Sequence, residues 1–260
     1  MPFPAAHRSA FALGLLLCGL ALNGQVLEPQ DCRASGTVLP YPPLREADVM
    51  WERRVWRTLD LHDPQNAALL TPQGKLPGCR NLFAVMQHGL KDEGGLVAYQ
   101  PDAKGEDDAF RKPFLREEIK SMLAAVDTLP ATAVARFMIK EDWIFDRARS
   151  VMEVRIIGIA PMIEVRGEEG ELRGYRPLYW LYYPECRHLL AWWTAITGKD
   201  GERVSYEELF AQRRFSGTIV KVSNMQDRAI AGHTTGLDAL LESEEVRQQL
   251  LHMGFDLWNY

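Results

Sequence analysis

The stretch Glu141–Met162 (EDWIFDRARSVMEVRIIGIAPM) places the strongest constraint on the fold of this chain. After a charged turn at Asp146–Ser150, a β-branched run extends over Val151–Ile159. Apolar and charged side chains alternate in the first half of this run, which is the period-two pattern of a strand with one buried face. The polar side chains disappear from Ile156 onward, so we expect burial on both faces until Pro161 interrupts the strand. The stretch therefore predicts two antiparallel strands joined by a charged turn.

Acidic side chains lie on both sides of the aromatic run Trp143–Phe145. Because the aromatic side chains alternate with Ile144, a strand fits this run better than a helix. We therefore expect Glu141 and Asp142 to begin this strand and Asp146 to end it. The arginines nearby are expected to form ion pairs with such acids at the surface or in an interface.

The first two dozen residues have the pattern of a secretory signal peptide. Arg8 precedes a run of small and apolar residues from Ala10 to Leu22, and polar residues then end the run. The run is short for a helix that spans a bilayer, and the large Leu17 before Cys18 disfavours a lipoprotein signal. We therefore expect residues 1–24 to be a signal peptide and the chain to be exported.

Residues 25–44 form a proline-rich segment with little periodicity. The prolines at positions 29, 40, 42 and 43 favour an extended, polyproline II-like arm without backbone pairing. Two interpretations are open. The arm is either a disordered leader or a strap that lies on a partner through its apolar residues, which are Val38, Leu39, Tyr41 and Leu44.

Three cysteines remain after the signal peptide, an odd number for an oxidising compartment. Cys186 lies near the start of a predicted helix, where a buried small residue is expected rather than a ligand. Cys32 and Cys79 both lie in segments rich in proline and glycine. A disulfide between them would join the arm to the folded domain, but the sequence leaves two free thiols equally open.

Residues 45–260 mix amphipathic helices with strands joined by hairpins, without an internal repeat. This order predicts a single α+β domain with a mainly antiparallel sheet flanked by helices. Ser205 with Glu208 has the spacing of a capping box at the start of a short helix. Ser243 is expected to begin a last helix that ends at Gly254.

The first predicted helix carries three arginines. Asp48 is expected to cap a helix in which Trp51, Val55 and Leu59 recur every four residues. Arg53, Arg54 and Arg57 would then share the other side of that helix. These arginines are interpreted either as a solvated face or as an interface for acidic groups of a neighbour.

Composition excludes several classes of function. The full chain has 30 Lys and Arg against 35 Asp and Glu, so a dominant nucleic-acid-binding surface is not expected. The nucleophile-elbow, zinc-protease, P-loop and dinucleotide-binding motifs are missing from the sequence. The histidines are scattered singly, and no convergent set points to a metal, a cofactor or a catalytic centre. We therefore expect no cofactor.

Several long segments, in the same order, resemble the GldN/PorN family of the gliding-motility and type IX secretion apparatus of the Bacteroidetes. The resemblance covers about Arg45 to Tyr260 and is carried by KEDWIFDRARSVMEVRIIGIAP, LYWLYYPECRHLLA, FSGTIVKVSNMQDR and the terminal DLWNY. It implies a non-enzymatic structural component of the periplasm. It also implies a large ring formed with a GldK/PorK-like outer-membrane lipoprotein, and contact with the periplasmic part of a GldM/PorM-like motor subunit.

A second class of function is an exported hydrolase or carbohydrate-binding protein. It would also have a signal peptide and many tryptophans, but it needs paired carboxylates or exposed aromatic platforms. The sequence specifies neither arrangement. A ring component should sediment with the membrane in very large assemblies, whereas such an enzyme would be released as a small soluble species.

Overall fold

A seven-stranded sheet organises the domain, and every strand pair in it is antiparallel. The computed structural model describes residues 32–72, 78–92, 95–101, 109–127, 134–197, 202–223, 230 and 237–257, so the predicted signal peptide lies outside the described residues. The strands are β1 (Val49–Asp60), β2 (Ala98–Tyr99), β3 (Val134–Asp146), β4 (Val151–Arg166), β5 (Leu172–Pro177), β6 (Trp180–Tyr182), β7 (Thr194–Thr197), β8 (Arg203–Ser205) and β9 (Thr218–Val222). The order is β2-β6-β4-β3-β1-β9, with β5 also paired to β4, while β7 and β8 form a separate two-stranded sheet. This architecture confirms the predicted α+β class with a mainly antiparallel sheet.

Six α-helices accompany the sheet in the described part of the chain. They are α1 (Ala67–Leu70), α2 (Leu82–Lys91), α3 (Arg116–Asp127), α4 (Tyr183–Trp192), α5 (Tyr206–Ala211) and α6 (Leu237–Leu257), and short 3₁₀ turns occupy Glu46–Asp48 and Pro64–Asn66. No described helix is long and apolar enough to span a bilayer.

The central hairpin is confirmed. β3 and β4 pair from Asp146↔Val151 at the turn to Val134↔Ile163 at the far end. The turn lacks glycine, and Ser150 supplies the positive φ angle, 53°, that closes it. Burial on both faces from Ile156 is also confirmed, since the strand is largely buried from there to Met162.

The predicted end of this strand at Asp146 is confirmed, but its predicted start is wrong. Glu141 and Asp142 do not begin a short strand, because β3 starts at Val134 and places both carboxylates in its interior. Their charged partners, Arg54 and Arg57 of β1 and Arg213 of a loop, are remote in the sequence, so spacing could not pair them with these acids.

Pro161 does not interrupt β4, which continues to Arg166. The Pro161 carbonyl accepts a hydrogen bond from Leu178 N (2.9 Å). Because the nitrogen and carbonyl of one strand residue point to the same side, the Pro161 nitrogen faces away from β3. On that side of β4, the neighbouring strand changes from β6 to β5 at Pro161. The missing N–H of Pro161 therefore removes no hydrogen bond between β3 and β4.

The first predicted helix is instead strand β1. It pairs with β3 from Val49↔Asp146 to Asp60↔Arg136, and with β9 on its other edge. Apolar residues four apart share a face in a helix and also in a strand, because four is a multiple of two. The spacing of Trp51, Val55 and Leu59 therefore fits both structures, and the long pairing with β3 selects the strand.

The two faces of the sheet carry different side chains. Val55 and Leu59 lie on the face covered by helices, where the main core also takes in buried residues of α2, α4 and α5 and a second cluster packs beneath α6. The opposite face carries Trp56, Ala160 and Trp180, all buried. The largest hydrophobic core therefore lies between the sheet and the helices that cover one of its faces.

The helix boundaries near the C-terminal half are partly as predicted. The capping box is confirmed, since Ser205 and Glu208 exchange both hydrogen bonds. Cys186 is buried within α4, as expected. The last helix is longer than predicted, because α6 starts at Leu237 and places Ser243 in its buried interior instead of at its cap.

Candidate interface

The three arginines of β1 do not form one surface, because alternate residues of a strand point to opposite faces. The Arg54 guanidinium donates to both carboxylate oxygens of Asp142, at 2.6 and 2.8 Å. The Arg53 guanidinium lies 5.7 Å from a ring centroid of Trp51 and is half-buried. Of the predicted interface arginines, Arg53 and Arg54 are therefore partly accessible, whereas Arg57 is buried.

Arg57 belongs to a buried charge network centred on Glu141, whose side chain has no exposed surface. The Glu141 carboxylate lies 3.6 Å from Arg57 Nε and accepts a hydrogen bond from Arg213 Nη2 at 2.6 Å. Trp143 Nε1 donates to the same carboxylate at 3.1 Å. Arg57 also donates from Nη1 to the carbonyl of Gly217, at 2.8 Å. The Glu141 carboxylate therefore joins three parts of the chain, which are β1, β3 and the segment that carries Arg213.

Burial lowers the pKa of the Arg57 guanidinium, and the Glu141 carboxylate opposes that shift. A buried charge pair is stable only when its members satisfy each other, because each loses its hydration. The network therefore specifies how β1, β3 and the segment that carries Arg213 fit together.

A second charge cluster closes the β3–β4 turn. Asp146 accepts hydrogen bonds from Arg149 Nε at 2.6 Å and from Ala148 N at 2.8 Å. Arg149 also donates to Glu153, which pairs with Arg155 at 2.6 Å. The Arg149 hydrogen bond holds the pKa of Asp146 below its ordinary value of 3.8. Burial raises the pKa of Glu153, but the two arginines outweigh this effect and hold it below 4.5.

These shifts predict that acid destabilises the domain. A carboxyl group with a lowered folded-state pKa contributes stability above its unfolded-state pKa, and that contribution disappears as the pH falls through the folded-state value. We expect the free energy of unfolding, measured by urea titration, to decrease below about pH 4.5. Arg149→Met should flatten this decrease. Arg166→Met, at an exposed pair with Glu164, is the matched control, and equal slopes in both variants would contradict the assignment.

The described part of the arm, residues 32–44, lies on its own domain. Ala34 N donates to the carbonyl of Trp192 (2.8 Å), and Gly36 N donates to that of Ala191 (3.1 Å). Gly36 has a φ angle of +69°, and a Cβ atom there would lie 2.8 Å from the Trp192 ring. Only glycine fits both requirements, so the close approach of arm and helix α4 is built into the sequence.

Tyr41 packs between two arginines of the domain. The Cζ atoms of Arg187 and Arg155 lie 4.0 and 5.1 Å from its ring centroid. The same arginines hold the arm backbone, since Arg187 donates to the carbonyl of Leu39 and Arg155 Nη2 donates to that of Pro42 at 2.7 Å. Burial raises the pKa of the Tyr41 hydroxyl, which stays neutral at physiological pH. The Tyr41 ring therefore makes its contacts with arginines of its own chain.

Arg187 is itself held by a buried ion pair with Glu207 of α5. Its Nη2 and Nε atoms lie 2.6 and 2.8 Å from Glu207 Oε1. A cavity of about 310 Å³ adjoins this pair, between Tyr41 and the β4 residues Val154 and Ile156. Its charged lining residues, which are Arg149, Glu153, Glu207 and Arg213, all take part in ion pairs. The cavity lies beside the arm, and each charged residue that lines it already has an ion-pair partner within the chain.

The other arm residues differ in exposure. Val38 and Leu44 are half-buried, whereas Leu39 is 68% exposed. Of the four predicted contact residues, Leu39 is therefore the most available to another molecule.

Cys32 and Cys79 lie together as a disulfide pair, with their Cα atoms 4.9 Å apart. Thr194 N also donates to the carbonyl of Cys32, at 3.1 Å. These contacts place the start of the described arm against β7 and the segment before α2. Cys186 is a free, buried thiol whose pKa is raised by burial, which makes it unreactive.

Sequence reasoning missed the role of Glu141. One signal was present, because Ile139, Glu141, Trp143 and Phe145 share a strand face on which Glu141 alone is charged. A single carboxylate on an apolar face indicates a buried ion pair. Its partners, Arg57 and Arg213, lie far away in the sequence and could not be paired with it by spacing.

Within the described residues, no three His, Cys, Asp or Glu side chains converge as metal ligands. Comparison with curated proteins finds no match. The family model described as "Gliding motility associated protein GldN" matches residues 44–259, a range that includes every described helix and strand. Members of this family are components of gliding motility and type IX secretion, and the family is not a known enzyme family. The chain belongs to the GldN family of gliding motility-associated proteins.

Proposed function

We propose that this chain is a non-enzymatic, periplasmic structural component of the type IX secretion and gliding machinery. In this proposal it assembles with a GldK/PorK-like outer-membrane lipoprotein into a large ring. It also contacts the periplasmic part of a GldM/PorM-like motor subunit, and its association with the outer membrane depends on the lipoprotein.

The observation that carries this proposal is the family match over residues 44–259. The match begins at the end of the arm and includes the sheet, the helices that cover it and the buried charge network. A component that transmits force between partners needs a domain that does not unfold locally under load. The buried pairs of Glu141 and Glu207 join distant segments and support this requirement.

The proposal is tested by deleting the gene in the native organism and restoring it with the full chain. We expect the deletion to abolish type IX export, and gliding where the organism glides. The restored protein should sediment with the outer membrane in assemblies far larger than one chain. Undiminished export in the deletion strain, or a released small soluble species, would contradict the proposal and favour the hydrolase or carbohydrate-binding alternative.

Leu39 offers a sharper test of the arm as a partner contact. Leu39→Asp should weaken co-purification with the lipoprotein about tenfold, because an exposed leucine at an interface contributes on the order of 1–2 kcal/mol. Its fold should persist, since Leu39 is exposed and its arginine contact uses the backbone carbonyl. Leu172→Asp is the control, at a leucine of β5 that is 48% exposed. Equal capture of both variants would exclude the arm as the contact.

A further inference from the structure

Helix α6 carries leucines that are exposed in the described part of the chain. Its inner side packs Ala239, Val246 and Leu250 toward the sheet. It also carries three leucines that are 70%, 56% and 61% exposed, namely Leu237, Leu240 and Leu241, and Leu240 borders the space between α6 and β9. We call these three residues the leucine face. Neighbouring leucines exposed to this extent on one helix are characteristic of an interaction site.

The charged residues in the first half of α6 are all acidic. From Leu237 to Val246 they are Asp238, Glu242, Glu244 and Glu245. Glu244 follows Leu240 and Leu241 by one turn, so it lies on the same side of the helix, where it pairs with Arg247 at 2.6 Å. The leucine face therefore combines apolar side chains with acidic ones, a combination that suits an apolar groove bordered by positive charge.

A groove of matching chemistry lies between α2 and α3. It has a volume of about 290 Å³, and its apolar lining includes Leu90, Leu96, Phe114, Ile119 and Leu123. Its charged lining residues are all basic, namely Lys91, Arg116 and Lys120, and Lys120 also pairs with the exposed Glu117 at 3.0 Å. We call it the basic groove. Val97 and Leu115 beside it are exposed, so its apolar character extends to the surface.

The leucine face and the basic groove lie at opposite edges of the sheet. α6 packs on β9, which ends the strand order on one side. The groove is lined by residues directly before β2, the strand that ends the order on the other side. The two surfaces are therefore far apart in the strand order and are well placed to meet between different copies of the chain.

We infer that the leucine face of one copy docks in the basic groove of a second copy. Leucines would fill the apolar floor, and the acids of α6 would face Arg116 and Lys120. The contact joins two different surfaces, so it is heterologous and leaves one free surface at each end of a dimer. Repetition of such a contact builds a ring or an open chain. This inference deepens the self-association within the proposed function and rests on it.

The test uses the full mature chain and two variants in analytical ultracentrifugation. A helix variant, Leu240→Asp with Leu241→Asp, removes the leucine face. A groove variant, Arg116→Glu with Lys120→Glu, reverses the charge of the groove. We expect the unchanged chain to associate with increasing concentration, and each variant to associate at least about tenfold more weakly. An equimolar mixture of the variants should form dimers that grow no further, because only one intact pair of surfaces remains.

Leu172→Asp, at an exposed leucine outside both surfaces, is the matched control and should associate like the unchanged chain. Near-ultraviolet circular dichroism checks that all variants keep their packing. A chain that stays monomeric at high concentration, variants that associate normally, or a mixture that forms no dimers would overturn the inference. This result is separate from the export assay, since loss of export in the deletion strain would stand even if the purified copies did not bind in this way.

Discussion

Glu141→Gln is expected to lower the free energy of unfolding by about 3–5 kcal/mol, because it leaves the buried Arg57 guanidinium without its compensating charge. Glu141 has no exposed surface, and the Arg57 side chain is 9% exposed, so solvent cannot replace the lost charge. The change keeps the shape of the side chain, which separates the electrostatic effect from a cavity effect. Urea denaturation at neutral pH measures the difference.

The control for this prediction is Glu164→Gln, which removes a carboxylate from an exposed pair with Arg166. Only a small loss is expected there, because solvent screens the pair. A double-mutant cycle of Glu141→Gln with Arg57→Met should show a coupling energy of about 1–3 kcal/mol. If Glu141→Gln and Glu164→Gln destabilise the domain equally, the charge network does not hold the strands together.

Replacing both Cys32 and Cys79 with serine is expected to destabilise the domain by about 4 kcal/mol in the chain-entropy model of a cross-link. The two residues are 47 positions apart, so the bond would close a long loop and restrict the unfolded chain. We expect the same loss when the unchanged chain is treated with a reductant. Denaturation curves with and without reductant provide the measurement.

The serine variant is its own control, because reductant should not change its stability further. Mass mapping without reduction should recover peptides that contain Cys32 and Cys79 as one linked species. Two free thiols, or a serine variant as stable as the oxidised chain, would contradict the cross-link. The arm would then be held only by its backbone contacts with α4 and by Arg187 and Arg155.

The β3–β4 hairpin was predictable because its signal is local. Alternating side chains over Met152–Ile156 specify a face, and the charged turn separates two strands that follow each other in the chain. The capping box at Ser205 was predictable for the same reason, since both partners lie within four residues. The family resemblance also depends on such continuous segments, and the family match confirms it.

The β1 strand was not predictable from its spacing, because residues four apart share a face in both a helix and a strand. Its pairing with β3 joins residues such as Val55 and Glu141, which are remote in the sequence. That error also placed the three arginines on one surface. The strand separates them and moves Arg57 into the interior, where it meets Glu141.

The amino-acid sequence by itself determined the α+β class, the central hairpin and the family, because each depends on patterns within short segments. Only the tertiary structure decided which charges are buried and which surfaces remain open. Burial depends on contacts between distant segments, as at Glu141 with Arg57 and Arg213, and at Tyr41 with Arg155 and Arg187. The free energy of a charge or an apolar side chain is set by what surrounds it in the folded chain, and short sequence patterns do not reveal those surroundings.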